Sequence, residues 1–232
     1  MDGVQNKVEQ MLASKFTSLF TSGIDAVING LSAEGGFLDD PVVRILLPPP
    51  LGLALGVARD LQRDPKAALL ESLINHAAEG AIPVAGPILK DMVMKMDTTK
   101  LQTLLDEPDA AVTEYLMEEG GAAVKSVLLP AVTQQLRANG AVQLYGELLA
   151  AQQKVEEVAP TEPADVLAPV VEEALPPLDA KALPNPEGVK AVSPEQLGDY
   201  VAEQAVGGLF KKVATQELAV RDTVNKMVEV PF

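Results

Sequence analysis

From Val8 to Leu31 the apolar residues return every three or four positions: Val8, Met11, Leu12, Phe16, Leu19, Phe20, Ile24, Val27, Ile28 and Leu31. That spacing lays one apolar stripe along a helix and fits no single face of a strand. A similar period returns along much of the chain, interrupted by glycine and proline, and strict alternation is nowhere sustained beyond a few residues. The pattern therefore predicts an all-α fold, a single domain of about seven to eight helices of average length. Aromatic residues make up only 3% of the chain while 47% of it is hydrophobic, so the core must be built from Leu, Val, Ala, Ile and Met. Such side chains pack well between helices, where Leu and Ala also carry high propensity.

Punctuation residues divide the stripe. Gly30 and Gly35-Gly36 stand where the first helix should stop. Asp39 or Asp40 followed by Pro41 suits the cap and first turn of a short helix. Val42 to Leu47 should be extended, because Pro48 disfavours helix just before it. Pro50 suits the start of another helix, running through Leu51, Leu55, Ala58 and Leu61. Ala67 onward is helical, with Leu69, Leu70, Leu73 and Ile74 on one face and interruptions at Pro83 and Pro87. Asp97 and Thr98 should cap Lys100 to Asp106. Ala110 to Glu119 should end at Gly120-Gly121, with a second helix from Ala122 to Ala138 bent near Pro130. Asn139-Gly140 marks a turn into a helix from Ala141. Ser193-Pro194-Glu195-Gln196 has the N-cap serine, first-turn proline and returning glutamine of a capping box, opening a last helix to about Val228.

Between Val158 and Pro194 lie eight of the eighteen prolines, and residues 151–200 hold ten acids against three lysines. A regular helix cannot run through such a stretch. The expected organisation is a helical domain over 1–153, a Pro-rich acidic linker or insertion over 154–194, and a C-terminal helix over 195–232 that packs back on the domain. Apolar residues within the excursion, such as Val166, Leu167, Val170 and Leu175, suggest that part of it packs on something, with a short helix near Pro163 to Ala174.

Charge and residue inventory narrow the chemistry. With 33 acidic residues against 18 basic ones the formal net charge is −15, which opposes binding to nucleic acid or to anionic lipid surfaces. The absence of cysteine removes disulfides, thiolate ligands and cysteine nucleophiles. His76 is the only histidine; it has no Gly-x-Ser-x-Gly elbow to serve, and with Glu79 it offers just two metal ligands. No phosphate-cradling glycine loop is present. No enzyme activity, cofactor or metal is expected. The longest apolar run, Ile45 to Ala58, is short and broken by Pro48, Pro49 and Pro50, so no transmembrane segment is expected. Residues 1–12 lack the apolar core of a secretory leader, which fits a cytoplasmic protein or a mature exported chain.

A ligand site, if present, should use apolar walls and a single cation. Arg44 lies among apolar residues, and its planar fork suits an oxyanion or an internal carboxylate such as Asp39, Asp40 or Glu79. Met92, Met94 and Met96 form a cluster whose ordinary role is core filling and whose alternative is an adaptable pocket wall. The candidate ligand-binding set is Arg44, Leu46, Leu47, Leu55, His76, Met92 and Met96.

Four blocks resemble the bacterial domain-of-unknown-function family 4197, in the family's order. They are Gly36-Phe37-Leu38-Asp39-Asp40-Pro41-Val42-Val43-Arg44-Ile45; Leu73-Ile74-Asn75-His76-Ala77-Ala78-Glu79 with Ala81-Ile82-Pro83; Leu104-Leu105 with Pro108-Asp109-Ala110-Ala111-Val112-Thr113-Glu114-Tyr115; and Asp199-Tyr200-Val201 with Gly208-Leu209-Phe210. The resemblance implies a helical domain exported to the bacterial periplasm or envelope, and implies no activity. Residues 154–194 look like an insertion. Leu116-Met117-Glu118-Glu119 stands where members tend to be basic, and residues 48–58 are more apolar than usual.

The functional expectation is a non-enzymatic binding protein for an apolar or lipid-like ligand in the bacterial envelope. Pro83, Pro87 and Pro130 are expected to hold helices apart and open a cavity for it. The alternative is a structural protein that forms a homo-oligomer, such as a homodimer, through apolar helices and the 158–194 segment.

Overall fold

The computed structural model describes residues 2–52, 65–158 and 191–228, and every regular element among them is helical. Leu55, the end of the apolar run, the expected helix near 163–174 and most of the acidic excursion lie outside the described residues. The elements are α1 (Asp2–Ser32), α2 (Pro65–Ala81), a 3-10 helix (Ile82–Ala85), α3 (Gly86–Lys95), α4 (Thr98–Asp106), α5 (Ala111–Ala138), α6 (Ala141–Val158), a second 3-10 helix (Pro194–Gln196) and α7 (Leu197–Val228). Among these residues no helix is long and apolar enough to cross a membrane.

The core is formed mainly by the two ends of the chain and α5. α7 packs against α1 on one side and α5 on the other, while α5 also meets α2 and α3. The stripe of α1 delivers Phe16, Phe20, Ile24, Ile28 and Leu31 to this core, and α7 answers with Val201, Ala205, Leu209 and Val213. At Pro83 and Pro87 the chain packs closely. Pro83 and Pro87 point to solvent, Ile82, Ala85 and Leu89 are buried, and a Cβ on Gly86 would lie 3.4 Å from Ile28.

Local signals set several boundaries. Asp97 caps α4 by accepting from the Thr99 and Lys100 amides. The capping box of Ser193 and Gln196 is formed in full, and it first winds a 3-10 turn before α7 begins. Two expectations are corrected. Asp40-Pro41 starts no helix: the Asp40 carbonyl accepts from Val43 and Arg44, completing one turn. A helix would next need the Ile45 amide to return to Pro41, but Asn75 Oδ1 takes that amide at 2.8 Å. Gly120-Gly121 does not end a helix either, since α5 runs unbroken through both. Gly120 is buried against Met92, so close packing there outweighs the roughly 1 kcal/mol that each glycine costs a helix.

One buried ion pair joins three elements. Ala110, at the N-cap of α5, has no side chain to cap with. Glu217 of α7 performs that task from across the core, accepting from Val112 N at 3.1 Å and Thr113 N at 2.6 Å. Four residues on, Arg221 pairs with Glu217 at 2.7 Å and donates to the Leu104, Leu105 and Glu107 carbonyls at the end of α4. Anion at a helix N-terminus and cation at a helix C-terminus both follow the backbone dipoles.

Candidate functional site

The segment 36–47 is held between two helices by side chains spaced along each. On α2, Glu71, Asn75 and Glu79 recur every four residues and so share one face. Glu79, nearly fully buried, accepts from Phe37 N at 3.1 Å and Leu38 N at 3.3 Å. Asn75 binds both backbone groups of Ile45, accepting from N at 2.8 Å and donating to O at 2.9 Å. Glu71 accepts from Arg44 Nε at 2.5 Å. From the other side, Tyr200 of α7 donates to the Leu46 carbonyl at 3.1 Å, and Lys212 pairs with Asp40. That hydrogen bond from Lys212, with one from the Val42 amide, holds the Asp40 carboxyl below its usual range. Gly208 lets the segment lie close: a Cβ there would stand 3.2 Å from both Phe37 Cε1 and Val43 Cβ.

Two open grooves flank this clamped segment. One, about 550 Å³, is lined by Val27, Leu31, Gly36, Asp39, Asp40 and Lys212 among others, so its charge is slightly acidic. The other, about 590 Å³, lies between the segment, α5 and α7. Its apolar lining is Val42, Val43, Met117 and Val206, and Gly121 and Gly207 leave it wide. Arg44, Lys125 and Lys211 line it as cations, against a single acid, Glu203. Lys125 bridges Asp199 at 3.1 Å and Glu203 at 3.2 Å. Burial opposes the charge on that ammonium, but the hydrogen bonds it donates to Asp199 and Glu203 prevail and its pKa is raised, so it stays protonated.

Leu55 lies outside the described residues, and of the six other residues expected to form a site the second groove takes Arg44 alone. Arg44 is exposed rather than buried, and its partner is Glu71, not Asp39, Asp40 or Glu79. Asp39 and Asp40 were nearer in sequence, yet Asp40 is held by Lys212, and Glu79 is taken up by two amides. Leu46 points to solvent at 63% exposure, whereas Leu47 is buried in the core. His76 is exposed and hydrogen-bonds Ser72 through Nδ1 at 3.3 Å. Its Nε2 stands 3.8 Å from Glu79, too far for the orienting bond of a catalytic triad. Met92 on α3 and Met96 just past its end are half-buried against the core. The described residues hold no group of three or more potential metal ligands.

Lys125, Lys211, Met117 and Gly207 were missed. The pair Gly207-Gly208 inside a strong helical pattern was the available signal, because a mid-helix glycine marks close approach or open space; here it marks one of each.

The geometry defines a helical protein with an amphipathic surface groove beside a doubly clamped segment. Residues 8–229 match the family model described as a protein of unknown function, DUF4197, and the chain belongs to that family. No curated protein and no solved structure matched. Three of the four blocks that carry the resemblance, Gly36 to Ile45, Leu73 to Glu79 and Asp199 to Phe210, supply the clamp apart from Glu71 and Lys212. The remaining block supplies the α5 amides that Glu217 caps.

Proposed function

We propose that this is a non-enzymatic binding protein of the bacterial envelope, taking an apolar or lipid-like ligand in the groove between Arg44, α5 and α7. The observation that carries this reading is apolar lining combined with open space. Val42 and Met117 are exposed at 58% and 50%, on a groove that also keeps Gly121 and Gly207 free of side chains. Its volume lies within the roughly 300–1,000 Å³ of small-molecule clefts, and apolar surface left in water favours an apolar occupant. The envelope placement follows from the family resemblance in the sequence.

Gly207→Leu tests the reading. A Cβ at Gly207 meets nothing within 4 Å, so the larger side chain enters free space and fills the groove. Titration with the neutral dye Nile red should give blue-shifted emission with the wild type and little with the variant, at equal helicity by circular dichroism. Equal emission from both proteins would sink the groove as the site. A homodimer through this face is the competing reading, favoured by the exposed Leu46 within the clamped segment; sedimentation that shows a dimer broken by Gly207→Leu would select it.

A further inference from the structure

We infer that the groove takes a free, single-chain amphiphile with an oxyanion head, the head held by Arg44 and Lys211 and the chain laid over Val42, Val43, Met117 and Val206; this deepens the binding reading above and rests on it. The argument begins with charge. The chain carries 33 acids and 18 basic residues, yet this groove is lined by three cations and one acid. With Glu71 and Asp199, the partners of Arg44 and Lys125, counted in, the patch is neutral within an acidic chain, so it repels an anion less than a uniform acidic surface would.

The three cations are not equivalent. Lys125 is already engaged by Asp199 and Glu203. Arg44 gives only Nε to Glu71, and its two Nη groups carry no hydrogen bond to any described residue. Lys211 is exposed and has no ion pair among the described residues. Thus the guanidinium edge and the Lys211 ammonium are donors in want of an acceptor. A planar guanidinium edge matches the two oxygens of a carboxylate or phosphate, and an ammonium adds a point charge.

Size and net charge choose the occupant. About 590 Å³ suits one drug-sized molecule and is small for a two-chain phospholipid. A net charge of −15 opposes docking onto an anionic bilayer, so the ligand comes as a free molecule rather than as a membrane surface.

Calorimetric titration with three amphiphiles of one chain length, each below its micellar concentration, tests this: dodecanoate, dodecyl phosphate and neutral monododecanoylglycerol. The wild type should bind the two anions about tenfold or more tighter than the neutral ester, the worth of one or two charge-assisted hydrogen bonds. Lys211→Glu should remove about that advantage and leave the neutral ester unchanged, and Arg44→Gln should act in the same direction. Dodecanoate against dodecyl phosphate then tells a carboxylate head from a phosphate one, either of which supports the inference. Equal binding of anion and ester, or anion affinity untouched in Lys211→Glu, overturns the head assignment while Nile red binding keeps the groove. Failure of all three amphiphiles together with the dye removes both readings.

Discussion

Glu217 is a carboxylate with no exposure at all, and its environment shows why the charge is tolerated. It accepts two backbone amides at the start of α5 and pairs with Arg221, whose remaining donors go to the carbonyls that end α4. A buried charge is stable only when its lone pairs are filled in this way. Asn75 shows the same economy with a neutral side chain, since one amide group satisfies both backbone groups of Ile45. Glu217→Gln keeps the shape but turns an NH2 group toward the amides or toward Arg221, and leaves the guanidinium unpaired. The expected loss is about 3 kcal/mol of folding stability. The exposed Lys95–Asp91 pair, spaced four apart in the same way, should lose no more than about 0.5 kcal/mol on Asp91→Asn. Urea midpoints of the two variants decide the matter, and losses of similar size would contradict the argument.

At the scale of elements, what could be read in advance depended on how local the cause was. Asp97 and the Ser193 box were legible because the capping side chain and the capped amides lie within three residues. The cap of α5 was not legible, because it stands 105 residues away on α7. No periodicity marks such a residue. Arg44 shows the same limit: nearby acids looked like partners, but the clamp geometry gave it Glu71. Gly120-Gly121 misled in the other direction, since a stop signal by composition was overruled by packing. The two glycines differ, and this can be measured. A Cβ at Gly121 would make ordinary contact with Met117 at 3.8 Å, whereas one at Gly120 would run into the end of Met92. Gly121→Ala should therefore stabilise the protein by close to the full helix-propensity gain of about 1 kcal/mol. In Gly120→Ala the displacement of Met92 should cancel that gain. Thermal melts giving both variants the same increase would show that α3 does not press on α5 at this point.

Across the whole molecule, distant parts of the chain are closed on one another at a single hydroxyl. Tyr145 of α6 is fully buried and its OH lies 3.2 Å from the Pro49 carbonyl and 2.7 Å from that of Val192. The Val192 amide in turn donates to Pro49 at 3.0 Å. So the turn that follows the clamped segment, the α6 helix and the approach to α7 share one junction. A phenolate there would lose its proton to donate and would face two carbonyl oxygens. Burial, and to a smaller degree the neighbouring Tyr200, accordingly pushes the Tyr145 pKa up to about 12, and burial raises Tyr200 as well. In the unfolded chain a tyrosine ionises near pH 10. Below about pH 10 both states keep the proton and the contribution to stability is intact. From there to about pH 12 the unfolded chain releases the proton and the folded one does not, so rising pH favours unfolding. Tyr145→Phe removes the titrating group. It should begin about 1 kcal/mol less stable at neutral pH, through the lost hydrogen bond, and then decline less steeply than the wild type across that alkaline window. Lysine titration and general charge repulsion are common to both proteins and cancel in the difference. Urea midpoints taken every half unit of pH for the pair should converge as the pH rises, and parallel curves would mean that the junction is not closed by the Tyr145 hydroxyl.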